Sequence, residues 1–158
     1  MHPSGTTGLV VAFLNAYAAF VGVFAGGVTL VVLSRPSPAS IAVSRLASGV
    51  LLALGCGVIL LAALFLVHRP ILMGLLRSGR LRSRAHSQFL GGVLALLPFG
   101  AGVFLFRDGE TLAGLAAFWM RVPSELAVGL LPYVVSGALF GAHVRRLVQD
   151  EGRRRTGG

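Results

Sequence analysis

Few groups in this chain can ligate metal, carry protons or attack a substrate. They are four histidines (His2, His68, His86, His143), one cysteine (Cys56) and five carboxylates (Asp108, Glu110, Glu125, Asp150, Glu151). His68 and His143 have the best case for chemistry. Each closes a long apolar run, the second and the fourth, which in a four-span topology point the same way and so bring both to similar depth. Two imidazoles so placed can grip a haem iron or another metal. Neither lies in a local signature such as HExxH. A histidine at a helix C-terminus also suits the helix dipole. That plain interfacial role is the expected one, and no cofactor is expected, haem being the minority reading.

The search for a catalytic constellation comes back empty. There is no GxSxG, CxxC or P-loop. No pair of carboxylates falls inside an apolar run, where general acid–base catalysis would need it. Cys56 sits alone in such a run and closes neither an intramolecular disulfide nor a zinc cluster. It reads as a small buried hydrophobe. The chain is expected not to be an enzyme.

Asn15 is the most telling polar residue within an apolar stretch. An amide facing lipid is costly, so it should meet a partner helix. Ser48, Ser136 and Tyr133 are the candidate partners. Asn15 also lies one turn from Ala18, on the same stripe as Gly22 and Gly26; these three recur every fourth residue. Gly49, Ala53 and Gly57 repeat that spacing, as do Gly137 and Gly141. Small residues at this interval form a stripe that lets helix backbones approach closely. Packing within the molecule is the favoured reading of these stripes; self-association or docking onto a larger complex is the other.

The elements that carry these residues follow from composition. Of 158 residues, 55% are hydrophobic and only 12% charged, about half the ~25% of soluble domains. Mean hydropathy is +0.84. A soluble globule, a disordered tail and a disulfide-stapled module are excluded. Four runs are long enough for the ~20 residues that a helix needs to cross the hydrocarbon core. They cover about 8–33, 45–67, 88–106 and 124–144. The runs do not alternate, which excludes a β-barrel. The fold class is therefore an all-α integral membrane protein, a four-helix transmembrane bundle forming one domain over 1–158. AYA at 16–18 resembles a signal-peptide cleavage site, but no basic segment precedes it, and the first helix is expected to be retained.

Two prolines, Pro98 and Pro132, fall inside the third and fourth runs and should kink them. Between those runs, Glu110–Met120 shows helical spacing of Leu112, Leu115, Phe118 and Trp119. A short interfacial helix is expected there, stopped before Pro123.

All fourteen basic residues are arginine, giving a net charge of +9. Ten of them cluster in two segments: Arg69, Arg77, Arg80, Arg82 and Arg84 in the loop 68–87, and Arg145, Arg146, Arg153, Arg154 and Arg155 in the tail 145–158. Arg35, Arg45, Arg107 and Arg121 fall on the other side. The positive-inside rule puts both termini in the cytoplasm of a bacterial or archaeal cell membrane. Arg77, Arg80, Arg82, Arg84, Arg145 and Arg146 are the expected lipid-headgroup and topology residues. Nucleic acid is not an expected partner; membrane lipids are, together with other membrane subunits or further copies of the chain. The expected function is an accessory, scaffolding or assembly subunit of a larger membrane complex. A small homo-oligomeric channel or carrier is the first alternative, and a haem-binding redox anchor the second. No acidic residue lies deep in a span, which counts against an ion-coupled carrier.

Overall fold

The computed structural model describes residues 3–34, 38–81, 83–106 and 123–156. The expected interfacial helix, together with Arg35, Arg82, Arg107 and Arg121, lies outside them. Among the described residues the fold is all-α, with no sheet. Helix α1 spans Pro3–Leu33, α2 Ala39–Ala63, α3 Arg69–Arg77, α4 Arg84–Phe106 and α5 Pro123–Thr156. A π-helical turn at Leu64–His68 joins α2 to α3, so that pair forms one continuous rod. The long helices thus number four. Three stretches are apolar and long enough to cross a membrane: Thr7–Leu33, Ala39–Arg77 and Val128–Arg153.

The helices overrun the apolar stretches that announced them. The second was expected to stop near Val67, where the apolar run ends; Pro70, which lacks an N–H and whose ring crowds the carbonyl four residues back, follows soon after. The chain instead widens into the π turn just before that proline. Arg69 N–H reaches back five residues to the Leu64 carbonyl, and the helix resumes with Pro70 in its first turn. Most of the segment expected as the loop 68–87 is therefore helical, 68–77 in this rod and 84–87 in α4. A tight turn follows, with Gly79 at φ 72°, in the left-handed region that glycine tolerates best. Ser83 then opens α4, its hydroxyl accepting the His86 N–H at 3.1 Å. Most of the basic tail is helical too, since α5 continues to Thr156. At about 1.5 Å per residue, the 39-residue Ala39–Arg77 rod is longer than ~30 Å of hydrocarbon.

Neighbouring helices pack antiparallel. Phe13 meets Phe140 at 5.0 Å between ring centroids, and Phe20 meets Tyr133 edge-on at 4.8 Å. These pairs join α1 to α5. Tyr17 and Phe20 of α1 cover Gly57 of α2, and Val28 covers Gly49. On the other flank α4 and α5 touch backbone to backbone through Gly91, Gly137 and Gly141. The core lies where α1 and α5 meet: Ala12, Ala16, Phe20 and Phe24 from α1, with Tyr133, Phe140 and Val144 from α5. Leu60, Leu64 and Leu72 complete it from the α2–α3 rod.

The outer surface is as apolar as the core. Leu30, Leu33, Leu51, Leu66 and Phe89 are each at least 69% exposed. In water such a belt would be an aggregation hazard; in a bilayer it is the surface that lipid tails wet. The three long apolar helices point to an integral membrane protein.

The two arginine-rich segments meet at one end of the molecule. Arg77 pairs with Glu151 at 3.6 Å, and the Arg145 guanidinium donates to the Leu81 carbonyl at 3.1 Å.

Candidate functional site

The small-residue stripes separate into two kinds. Those of α2 and α5 face inward. Gly49 and Gly57 are covered by α1, Ala53 is fully buried, and Gly137 and Gly141 lie against α4. The α4 residues that receive them, Ser87, Gly91 and Ala95, are themselves four apart. That stripe is legible from spacing alone, being as long as those of α1 and α2.

The α1 stripe differs. Asn15, Ala18, Gly22 and Gly26 are all exposed, and among the described residues a Cβ added at Gly22 or Gly26 would meet nothing within 4 Å. The stripe favoured for internal packing therefore points out of the bundle. The cause lies in the other face of the same helix. Ala12, Ala16, Phe20 and Phe24 also recur every fourth residue, and the two phenylalanines fill the space between α2 and α5. Two residues along a helix turn it by about 200°, so burying 16, 20 and 24 turns 18, 22 and 26 outward.

Asn15 does find a partner across the α1–α5 contact, though none of the three expected. Its Nδ2 lies 3.4 Å from Nε2 of His143. Ser48 is exposed on α2. Ser136 is fully buried, and its hydroxyl has no partner among the described residues. Tyr133 lies against Phe20, with its hydroxyl at Cys56. Asn15 thus faces outward while Tyr133 and Ser136 face inward, and the three do not line one path.

Both candidate histidines have their tautomer set by the backbone. His143 Nδ1 lies 2.9 Å from the Leu139 carbonyl, and His68 Nδ1 lies 2.8 Å from the Ala63 carbonyl. A carbonyl only accepts, so each Nδ1 carries the hydrogen, and in the neutral ring each Nε2 holds the lone pair. The His143 lone pair accepts from Asn15 on the outer surface. That of His68 is fully buried at the end of the π turn and has no partner among the described residues. His68 therefore presents a ligand atom to the interior and His143 presents one to Asn15. Among the described residues no group of three or more His, Cys, Asp or Glu is placed to hold a metal ion.

The arginines divide by function as well as position. Arg69 lies over the Phe65 ring at 5.4 Å, a cation–π contact at the end of the apolar belt. Arg77 and Arg145 tie α3 and the following turn to α5. Arg80, Arg84 and Arg146 are exposed at the same end.

No family model matches the chain, and no curated protein or solved structure shows similarity to it.

Proposed function

We propose that the chain is a four-span integral membrane protein with both termini in the cytoplasm. In this reading it is a non-catalytic accessory, scaffolding or assembly subunit, receiving a transmembrane segment of another protein on the open face of α1. One observation carries it: the Asn15, Ala18, Gly22, Gly26 stripe is exposed, although stripes of this kind elsewhere in the molecule are covered by a helix. Lipid tails give helices no hydrophobic drive to associate, so contact must come from close van der Waals approach and hydrogen bonds between helices. A face of Gly and Ala offers the first. The Asn15–His143 pair at one end of the stripe offers the second, because an amide and an imidazole are costly to leave against hydrocarbon. Orientation rests on ten of fourteen arginines lying in the two segments that meet at one end.

Gentle detergent extraction, followed by identification of co-purifying proteins, tests the proposal. Wild-type protein is expected to bring down another membrane protein, and Gly22→Leu to lose it while remaining folded. Recovery of the same partner by both versions would remove the α1 face from the mechanism.

A further inference from the structure

The seam between α4 and α5 opens toward the surroundings as a groove of about 360 Å³, within the roughly 300–1,000 Å³ range of ligand sites. It is lined by Gln88, Gly92, Val93 and Leu96 of α4 and by Val134 and Ala138 of α5. Its origin is local. Gly91 and Gly137 bring the two backbones together and Val134 closes over Gly92, while Ala138 carries only a methyl, so a shallow strip stays open beside the contact. Phe89 and Val93 stand on the rim, 73% and 45% exposed.

The polarity of the groove runs in one direction. Leu96 and Val134 are apolar, and Gln88 brings an amide at the end nearer the arginines. Arg84 precedes Gln88 by one turn on the same helical face, since 84, 88, 92 and 96 share a stripe; it is exposed. On α5, Arg145 lies seven residues beyond Ala138, again on the same face. The carboxylates described at this end are Asp150 and Glu151, and Glu151 is paired with Arg77. An apolar slot that ends in an amide and then guanidinium groups is complementary to one kind of molecule that surrounds the protein in a bilayer. A partner helix would have no use for that charge.

We propose that the α4–α5 seam binds one anionic phospholipid. An acyl chain lies along Gly92, Leu96 and Ala138, Gln88 meets the ester region, and the phosphate meets Arg84 at the arginine-rich end. The inference goes beyond the scaffold reading and needs only that the chain sits in a membrane.

The test uses full-length protein in mild detergent, with phosphatidylglycerol and phosphatidylcholine of identical chains titrated in turn. Binding is read by native mass spectrometry and by thermal unfolding. Phosphatidylglycerol is expected to remain as a one-to-one adduct and to bind more tightly than phosphatidylcholine. Arg84→Gln should weaken phosphatidylglycerol about fivefold, the effect of one arginine at an anionic surface, and leave phosphatidylcholine unchanged. Ala138→Phe fills the slot and should abolish the adduct. Should that variant misfold, Val93→Trp blocks the slot from the exposed rim. Equal binding of the two lipids by wild type overturns the proposal, as does no adduct at all, or a folded slot-filling variant that keeps wild-type affinity. Glycerol phosphate alone should not bind; binding as tight as the lipid would mean a free phosphate site and would equally overturn it. No protein partner enters any readout, so failure here leaves the scaffold reading to its own test.

Discussion

Gly91 of α4 and Gly137 of α5 meet without any side chain between them. A Cβ on either would strike the carbonyl of the other. Gly141 repeats the relationship against the Ser87 carbonyl. Contacts this close are available only to glycine, and they replace the hydrophobic drive that lipid removes.

Gly137→Ala should therefore loosen α4 from α5, at a cost of about 1–3 kcal/mol. Gly91→Ala should cost a similar amount, and the double variant less than the sum, because both remove one contact. Gly22→Ala makes the same chemical change on open helix surface. It should leave stability unchanged or raise it, alanine being the better helix former by about 1 kcal/mol. Reversible unfolding in mixed detergent, followed by circular dichroism, reads all four. Equal behaviour of Gly137→Ala and Gly22→Ala would contradict the packing described for α4 and α5.

Topology is checked from outside the protein. On a Cys56→Ala background, cysteines placed at Ser78 and Thr156 should be labelled from the cytoplasm by an impermeant maleimide. Cysteines at Ser34 and Ser40, at the far ends of α1 and α2, should be labelled from the opposite side. The inverse pattern would mean that the arginine bias points the wrong way in this chain.

His68 allows its two readings to be separated. A buried imidazole with an unpaired Nε2 is a destabilising group of about 1–3 kcal/mol if nothing binds there. His68→Leu keeps the volume and removes the orphan but also gives up the Nδ1–H bond to the Ala63 carbonyl; the two effects are of similar size, so it should be close to neutral in thermal unfolding. The purified protein should show no Soret band. A band that disappears in His68→Ala, together with destabilisation by His68→Leu, would instead establish the haem-anchor reading.

Much of the fold was legible because lipid imposes a coarse rule: a long apolar run must be helical to satisfy its own backbone. The runs 8–33, 88–106 and 124–144 each sit inside α1, α4 and α5. The ends were not legible. Nothing in the run 45–67 announces that the helix continues past Pro70 through a π turn, with Leu64 and Leu72 on either side of it buried in the core. Which face of α1 turns inward was also beyond the sequence. Two stripes of four-residue period compete there, and the aromatic pair Phe20 and Tyr133 decides between them only once α5 is in place. The Asn15 partner was missed for the same reason, since His143 had been weighed as a metal ligand rather than as an acceptor.

The open face of α1 gives the sharpest comparison. Gly22 and Asn15 lie on one exposed stripe, so neither contributes to the interior of the bundle. Gly22→Leu raises a side chain on the smooth part of that face, where a second helix would need contact with the backbone. Overpacking of this kind costs about 1–3 kcal/mol at a close interface and nothing at a face met only by lipid. Asn15→Leu removes an amide that stands 3.4 Å from His143; interhelical hydrogen bonds in membranes average about 0.6 kcal/mol. If the face docks another protein, Gly22→Leu should release that partner during purification and Asn15→Leu should retain most of it. Alone, Gly22→Leu should unfold at the wild-type temperature and Asn15→Leu slightly below it, having lost the hydrogen bond between α1 and α5. The opposite ranking would make the polar pair the functional element. Asn15→Leu that keeps the assembly but abolishes a transport activity would replace the scaffold with the channel reading.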